Sequence, residues 1–235
     1  MTSIRGLLLA ALLLLAPIGL AACAADGGHP IMGCATAATP CLSGNALVAL
    51  ETSKGRVVLE LDGKAAPLTA GNFVDLVRRG VYNGTVFHRV VRDPVPFVVQ
   101  GGDPTSADSK VPASRHGTGN FLDPDSGEPR LIPLELKLKG ADTLRYGEAI
   151  SSPTVTGDLT LTHQRGALAM ARSADPNSAS AQFYIALQAL PELDGRYAVF
   201  GRVKEGMDVV DRIRQGDRIT GATLLEGGKL VQGQP

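Results

Sequence analysis

The chain has 235 residues, with 23 Lys and Arg against 23 Asp and Glu and a near-neutral isoelectric point. That balance argues against an electrostatic nucleic-acid binder, which would carry a basic excess, and the length allows one domain of ordinary size or two very small ones. Hydrophobic residues make up 44%, enough for a buried core, while 28 Gly and 15 Pro beside few aromatics point to a turn-rich, β-leaning body.

At the N-terminus, Arg5 precedes an apolar run from Gly6 to Leu20, and small residues follow. This reads as a secretory signal peptide over residues 1–22, since a membrane span needs about 20 apolar residues and the run is short for one. Leu20-Ala21-Ala22-Cys23 resembles a bacterial lipobox, in which Cys23 is lipidated and becomes the mature N-terminus. Ordinary cleavage nearby, without lipid, is the alternative. Cys34 and Cys41 remain. In an oxidising compartment they either close a short bridge outside the core domain or stay as unpaired thiols, and both readings stand open. No CxxC and no His/Cys cluster suggests a metal. Residues 23–45 read as a small, polar linker, lipid-anchored or flexible, and the globular domain is expected over 46–235.

Order is expected to begin at "ALVALETSKGRVVLELDG", a β-hairpin around Ser53-Lys54-Gly55. In its second strand Val57, Leu59 and Leu61 alternate with Val58 and Glu60, giving one buried face. "PLTAGNFVDLVRRGVY" changes period: Phe73, Leu76 and Val77 predict an amphipathic helix of about three turns, with Thr69 as N-cap and Gly80 as stop. Strands follow around Val86 to Val91 and Phe97 to Gln100. From Asp103 to about Thr162 the pattern weakens, broken by one strand-like piece, "LIPLELKL"; so long a segment in a compact domain is functional or an insertion. "GALAMARS", "AQFYIAL" and "YAVFGRV" read as strands, "GMDVVDRIRQG" as a second helix with Met207, Val210 and Ile213 near one face, and "ITGATLLEGGKLV" as a closing strand or hairpin. About eight short strands and two helices suggest a mainly β fold, a closed barrel with helices over its ends.

The segment "FHRVVRDPVPFVVQGGDPT" does not fit a plain core strand. It sets a permanent cation, Arg89, beside a strand and follows it with an amide, Gln100, and two glycines. Together with "GALAMARS…DPNSASAQFYI" and "LDGRYAVFGRVKEGMDVVDRI", it is similar to the cyclophilin family of peptidyl-prolyl cis-trans isomerases, in order from about Ala46 to Val231. The resemblance implies an eight-stranded antiparallel barrel capped by two α-helices, with the active face outside the barrel. It also implies a peptidyl-prolyl cis-trans isomerase with proline-containing unfolded or flexible polypeptides as partners; with the expected export, its task is to assist folding of exported proteins, and the reaction, which breaks no bond, needs no cofactor.

The chemistry then accounts for Arg89. An X-Pro amide rotates over a barrier of about 18–20 kcal/mol because the nitrogen lone pair is delocalised into the carbonyl. No bond breaks, so no nucleophile is needed. A donor that hydrogen-bonds the twisted amide acts selectively in the transition state. Arg suits this, being always protonated and presenting a fixed fork of donors. Arg89 is therefore the expected catalytic residue, with Gln100 orienting it or bonding the substrate backbone. The resemblance places Phe97, Val98, Met170, Tyr184, Leu193 and Tyr197 around the proline, and gives Gln182, Ala171 and Arg172 the task of holding the substrate chain. His88 reads as structural, since no proton is transferred, His163 as a framework residue, and Gly101-Gly102 as a backbone device.

The chain departs from the family pattern at several places. Eleven positions separate Arg89 from Gln100, more than is usual, and the excess lies in Arg92 to Pro96. Glu192 and Tyr197 stand where eukaryotic members have Trp and His, and the loss of that Trp to Glu192 implies weak cyclosporin binding; Val98 replaces a Met and Arg172 an Asn. Lys137 to Leu161 is longer than the compact pattern, and the sequence gives it no task. Two other readings compete. One is the same fold as a non-catalytic X-Pro-binding chaperone or docking module, against which the Arg89, Phe97 and Gln100 set argues. The other is a ligand-carrying lipoprotein barrel, which needs a roomy interior rather than strands rich in Val, Leu, Met and Phe. The expected protein is a monomer, exported to the periplasm or cell envelope, and touching membrane only through Cys23.

Overall fold

The computed structural model describes Gly33, Cys34 and residues 37–232. The expected signal segment and Cys23 lie outside the described residues. The first two strands, β1 (Cys41–Thr52) and β2 (Gly55–Asp62), form the expected hairpin. Leu50 faces Val57, Val48 faces Leu59 and Ala46 faces Leu61, and all six are buried in the central core. Strand β1 begins at Cys41, ahead of the expected start at Ala46, because Cys41, Leu42 and Ser43 already pair with Val231, Leu230 and Lys229. Cys34 and Cys41 are joined by a disulfide. Cys41 is buried against Leu68, so the bridge belongs to the domain rather than to a linker outside it.

Helix α1 (Pro67–Arg78) buries Phe73, Leu76 and Val77 as the period predicts. Its N-terminus differs from expectation. Ala66 is the N-cap and Thr69 is a buried residue of the first turn. The carboxyl of Glu135, distant in sequence, accepts from Leu68 N at 3.1 Å and Thr69 N at 2.8 Å. A long-range acceptor thus satisfies two of the orphan amides of the helix start. Tyr146 donates to the same carboxyl at 2.9 Å. Burial pushes the Glu135 pKa up, while its three sets of donors oppose that shift.

Next come β3 (Arg89–Val90), β4 (Val98–Gly101), the small pair β5 (Glu135–Leu136) and β6 (Arg145–Tyr146), and a short helix α2 (Pro153–Thr156) that the sequence pattern did not indicate. The chain closes with β7 (Ala167–Met170), β8 (Phe183–Ala186), β9 (Val199–Glu205), α3 (Met207–Arg212) and β10 (Ile219–Val231). Eight strands form one antiparallel sheet in the order β10-β1-β2-β9-β7-β8-β4-β3. Its two ends meet: Val86, just before β3, bridges Arg218, just before β10. Gly84 N donates to Ile219 O at 2.7 Å and Ile219 N to Thr85 O at 2.8 Å across that seam. Joining the ends removes edges that would otherwise expose unpaired backbone groups.

The interior is filled. Phe73 of α1 contacts Tyr82, Phe183 and Phe200, with ring centroids 4.9, 5.4 and 5.2 Å apart. Tyr82 satisfies its hydroxyl on Ala181 O at 3.0 Å. Packing of this kind among the described residues fits a filled barrel better than a ligand-carrying one. Glu135→Ala is expected to destabilise the fold by at least about 2 kcal/mol, because each buried donor left unpaired costs about 1–3 kcal/mol; Glu135→Gln, which keeps an acceptor, should lose less. Chemical denaturation of the two variants measures this, and equal stability of Glu135→Ala and the parent protein would refute the capping role.

Candidate active site

Strands β3 and β4 set the site. Arg89 pairs directly with Gln100, and Val90 with Val99. Beyond them Val91 N donates to Val98 O at 2.9 Å and Phe97 N to Val91 O at 3.0 Å. The extra residues from Arg92 to Pro96 are therefore a loop closed at its base. They lengthen the spacing without shifting the register. Arg92 anchors the loop, donating through Nη2 to the carbonyls of Val210 and Ile213 at 2.9 and 3.1 Å.

The exposed guanidinium of Arg89 reaches Gln100 Oε1 at 3.4 Å and lies 5.7 Å from the centroid of the Phe97 ring. Gln100 Nε2 in turn reaches Gln182 Oε1 at 3.4 Å, and Gln182 Nε2 donates to Gly119 O at 2.9 Å. Each amide thus accepts on one side and donates on the other. The long Arg–Gln contact consumes only one donor, and among the described residues the rest of the fork has no partner. Next to it a cavity of about 230 Å³ is walled by Phe97, Val98, Tyr184, Leu193 and Tyr197, with Arg89 and Gln100 at one side and Ala171 and Arg172 at another. This cavity brings together nearly all the residues expected there. Met170 is the exception: strand alternation turns it into the central core, whereas Ala169 and Ala171 pack on the outer cluster. Gln182 lines an adjoining polar cavity of about 330 Å³, which shares Gln100, Ala171 and Arg172 with the first.

Arg172 is mostly occupied. It donates to Arg196 O at 3.0 and 2.6 Å and to the carbonyls of Ser173 and Ala174 at 2.8 and 3.1 Å, with its guanidinium carbon 4.7 Å from the Tyr197 ring centroid. It is a wall and a clamp more than a free donor.

His163 ties two walls together. Its Nδ1 lies 2.7 Å from Asp194 Oδ1 and its Nε2 lies 2.8 Å from the Tyr184 hydroxyl. Beside a carboxylate, Nδ1 carries the proton, which leaves Nε2 to accept from Tyr184. Burial pushes the His163 pKa down, against the opposing pull of Asp194. His88, beside Arg89, also has its pKa lowered by burial, and among the described residues neither ring nitrogen has a hydrogen-bond partner. Its neutral ring contributes packing here, in keeping with a structural role.

Asp103 was not singled out by sequence. It accepts from Thr105 N, Thr105 Oγ1, Gly117 N and Gly119 N at 2.9, 2.8, 2.6 and 3.2 Å. Burial alone would raise this carboxyl; the hydrogen bonds outweigh it and hold the pKa low. Asp103 therefore folds the 103–119 segment back to present Gly119 O to Gln182. Gly102 enables the turn with φ +82, a conformation that side chains disfavour. The only sequence signal was the Gly-Gly-Asp-Pro punctuation.

Comparison with known proteins adds relationships to this geometry. The family model described as cyclophilin type peptidyl-prolyl cis-trans isomerase matches residues 47–229. A Synechocystis protein named for a thylakoid lumen peptidyl-prolyl cis-trans isomerase is 36% identical over 205 residues; the match covers 83% of this chain but only 51% of that relative, so the chain spans about half its length. The human peptidyl-prolyl cis-trans isomerase-like 1 is 36% identical over 188 residues, covering 80% of this chain and 91% of the relative. A crystal structure of a cyclophilin from Hirschia baltica superposes with TM-score 0.53 at 25% identity, covering 78% and 75% of the two chains. One from Cryptosporidium parvum, solved in the presence of the dipeptide Ala-Pro, has TM-score 0.55 at 23% identity over 77% of this chain and 99% of that one, a likeness of fold alone.

Tyr184→Phe removes the hydroxyl that His163 accepts from, so it should cost about 1–3 kcal/mol for the buried nitrogen left unpaired. Urea unfolding tests this; unchanged stability would mean the His163–Tyr184 contact carries no weight.

Proposed function

The chain belongs to the cyclophilin-type peptidyl-prolyl cis-trans isomerase family, and we propose that it accelerates isomerisation of X-Pro bonds in flexible or unfolded polypeptides through Arg89. The single observation that carries this reading is the Arg89 guanidinium, which among the described residues makes one long hydrogen bond, fixed beside a cavity of about 230 Å³ with Phe97, Val98 and Leu193 on its walls. Phe97, Val98, Tyr184, Leu193 and Tyr197 take the ring. Gln100 holds Arg89, and Gln182 with the Ala171 and Arg172 backbone holds the chain on either side. The Ala-Pro dipeptide named with the Cryptosporidium structure supports proline as the recognised residue.

As the peptide twists, conjugation is lost and the imide nitrogen becomes pyramidal and basic. Arg89 donates to it, or to the adjacent carbonyl, more strongly than to the planar ground state. One charge-assisted hydrogen bond supplies about 1.5–3 kcal/mol, or about one to two powers of ten in rate. The remainder comes from seating proline in the apolar walls and withdrawing the amide from water. No proton or covalent bond is exchanged, so neither His88 nor His163 has to titrate.

The expected setting is the cell envelope. The apolar segment before Cys23 supports export, and the lumenal naming of the Synechocystis relative agrees with that. Lipidation at Cys23 would tether a domain whose first strand starts at Cys41, so the tether is shorter than residues 24–45. The protein is proposed to act as a monomer. The same fold used only to bind X-Pro segments is the second reading, favoured by nothing as specific as the Arg89 geometry.

Arg89→Ala should lower isomerase activity at least about tenfold, within the range one such bond supplies, with little loss of stability. Arg89→Lys should also be poor because the fork is lost. A protease-coupled or NMR exchange assay on an X-Pro peptide reads both, and near parental turnover in Arg89→Ala would overturn the mechanism. For the anchor, mass spectrometry of the mature N-terminus should find an acylated Cys23, and Cys23→Ser should give soluble or unprocessed protein; an unmodified terminus beyond Cys23 would instead make the enzyme soluble.

A further inference from the structure

The turn after β8 presents two faces. Leu193 closes the proline cavity, while its neighbours Glu192 and Asp194, with Arg196, line a second cavity of about 550 Å³. The opposite wall is Ile150, Ser151, Pro153 and Thr156, from the long segment around α2 to which the isomerase mechanism gives no task.

The walls are fixed by bonds. Ile150 N donates to Gly195 O at 2.9 Å. Gly195 has φ +76, and an added Cβ would collide with the Ile150 carbonyl. Asp194 is held by the His163 amide and ring at 2.8 and 2.7 Å. The Arg196 carbonyl is held by Arg172. Two charges are left over: Glu192 and Arg196 are both exposed. Among the described residues neither side chain makes an ion pair. The α2 segment is thus stapled to the rim of the proline cavity, and the result is a preformed groove with free charges of both signs.

We propose that this cavity is a second substrate subsite, taking charged residues that flank the proline on the same polypeptide, with Glu192 drawing a cationic side chain and Arg196 an anionic one. The proposal rests on the isomerase reading of the neighbouring cavity. A polypeptide seated at Leu193 needs only a few residues, at about 3.3 Å each, to run along the other face of the same turn. Small-molecule sites are mostly apolar and enclose their ligand. This groove is mixed and open, with apolar Ile150 and Pro153 beside the hydroxyls of Ser151 and Thr156, which suits an extended chain with its own backbone donors and acceptors.

The test compares a tetrapeptide containing one X-Pro bond with peptides extended by six residues on either side, the extension carrying Lys in one set and Glu in another. The purified protein is assayed beside Glu192→Lys and Arg196→Glu. The readout is the ratio of kcat/KM for extended over short peptide. Glu192→Lys should lower the ratio for a Lys-extended peptide about three- to fivefold, as expected for an exposed charge pair, and raise it for the Glu-extended one; Arg196→Glu should do the opposite, and high salt should erase both effects. Calorimetric binding of the same extended peptides must show the same charge swap. Ratios and affinities that ignore both substitutions on both sides of the proline would overturn the subsite. Absence of tetrapeptide turnover by the parent protein would instead sink the isomerase reading, leaving the calorimetric charge swap to decide the subsite.

Discussion

The pairing of Arg89 with Gln100 is the constraint on which the outer face depends. In an antiparallel pair, residues directly opposite share a face of the sheet. A slip of one residue would send the guanidinium to the other side and leave the neighbouring cavity without that donor. The loop closed by Val91, Phe97 and Val98 protects that register from the extra residues between them. The seam from Val86 to Arg218 anchors the start of β3 on the far end of the sheet. A barrel filled by Phe73, Tyr82, Phe183 and Phe200 gives both strands a rigid back.

The second requirement is a cavity whose walls do not collapse on themselves. Its residues come from β3, the β4 strand and its approach, the end of β7, β8 and the turn that follows β8, and none of these is held by the cavity alone. The buried His163 joins Tyr184 to Asp194. Arg172 joins the Tyr197 region to the end of β7. Asp103 shapes the loop whose carbonyl fixes Gln182. Each of these groups is polar and at least partly buried, and each is satisfied, which is the condition under which buried polar groups rigidify a site rather than weaken it. The hydrogen bond proposed for Arg89 depends on such preorganisation, because a donor that must first be ordered spends its advantage on its own entropy.

Much of this was legible in the sequence because local periodicity and residue chemistry carry it. Alternation in Val57, Leu59 and Leu61 marked the first hairpin, the helical spacing of Phe73, Leu76 and Val77 marked α1, and Arg89, Phe97 and Gln100, which the structure brings to one cavity, were read from one short segment. What the sequence could not show were interactions between residues far apart. Glu135 caps α1 from a distant strand, so Thr69 was the natural local candidate for a role it does not have. Met170 lies next to Ala171, and only the strand's alternation sends one to the core and the other to the cavity. The early start of β1 depends on pairing with Val231 at the other end of the chain. The α2 segment has little periodicity, and its place beside the Leu193 turn is set by the single Ile150–Gly195 bond and a small apolar cluster.

The central claim is that Arg89 acts on the twisted amide and not on the bound ground state. The most direct measurement is the affinity of the Arg89→Ala variant for a short X-Pro peptide, by NMR titration, set beside the exchange rate of the same peptide when saturated. The account predicts affinity within about threefold of the parent protein, with the saturated exchange rate falling by a power of ten or more, the signature of an interaction made only in the transition state. Affinity lost in full proportion, with saturated exchange unchanged, would show that Arg89 merely holds the substrate and would contradict it.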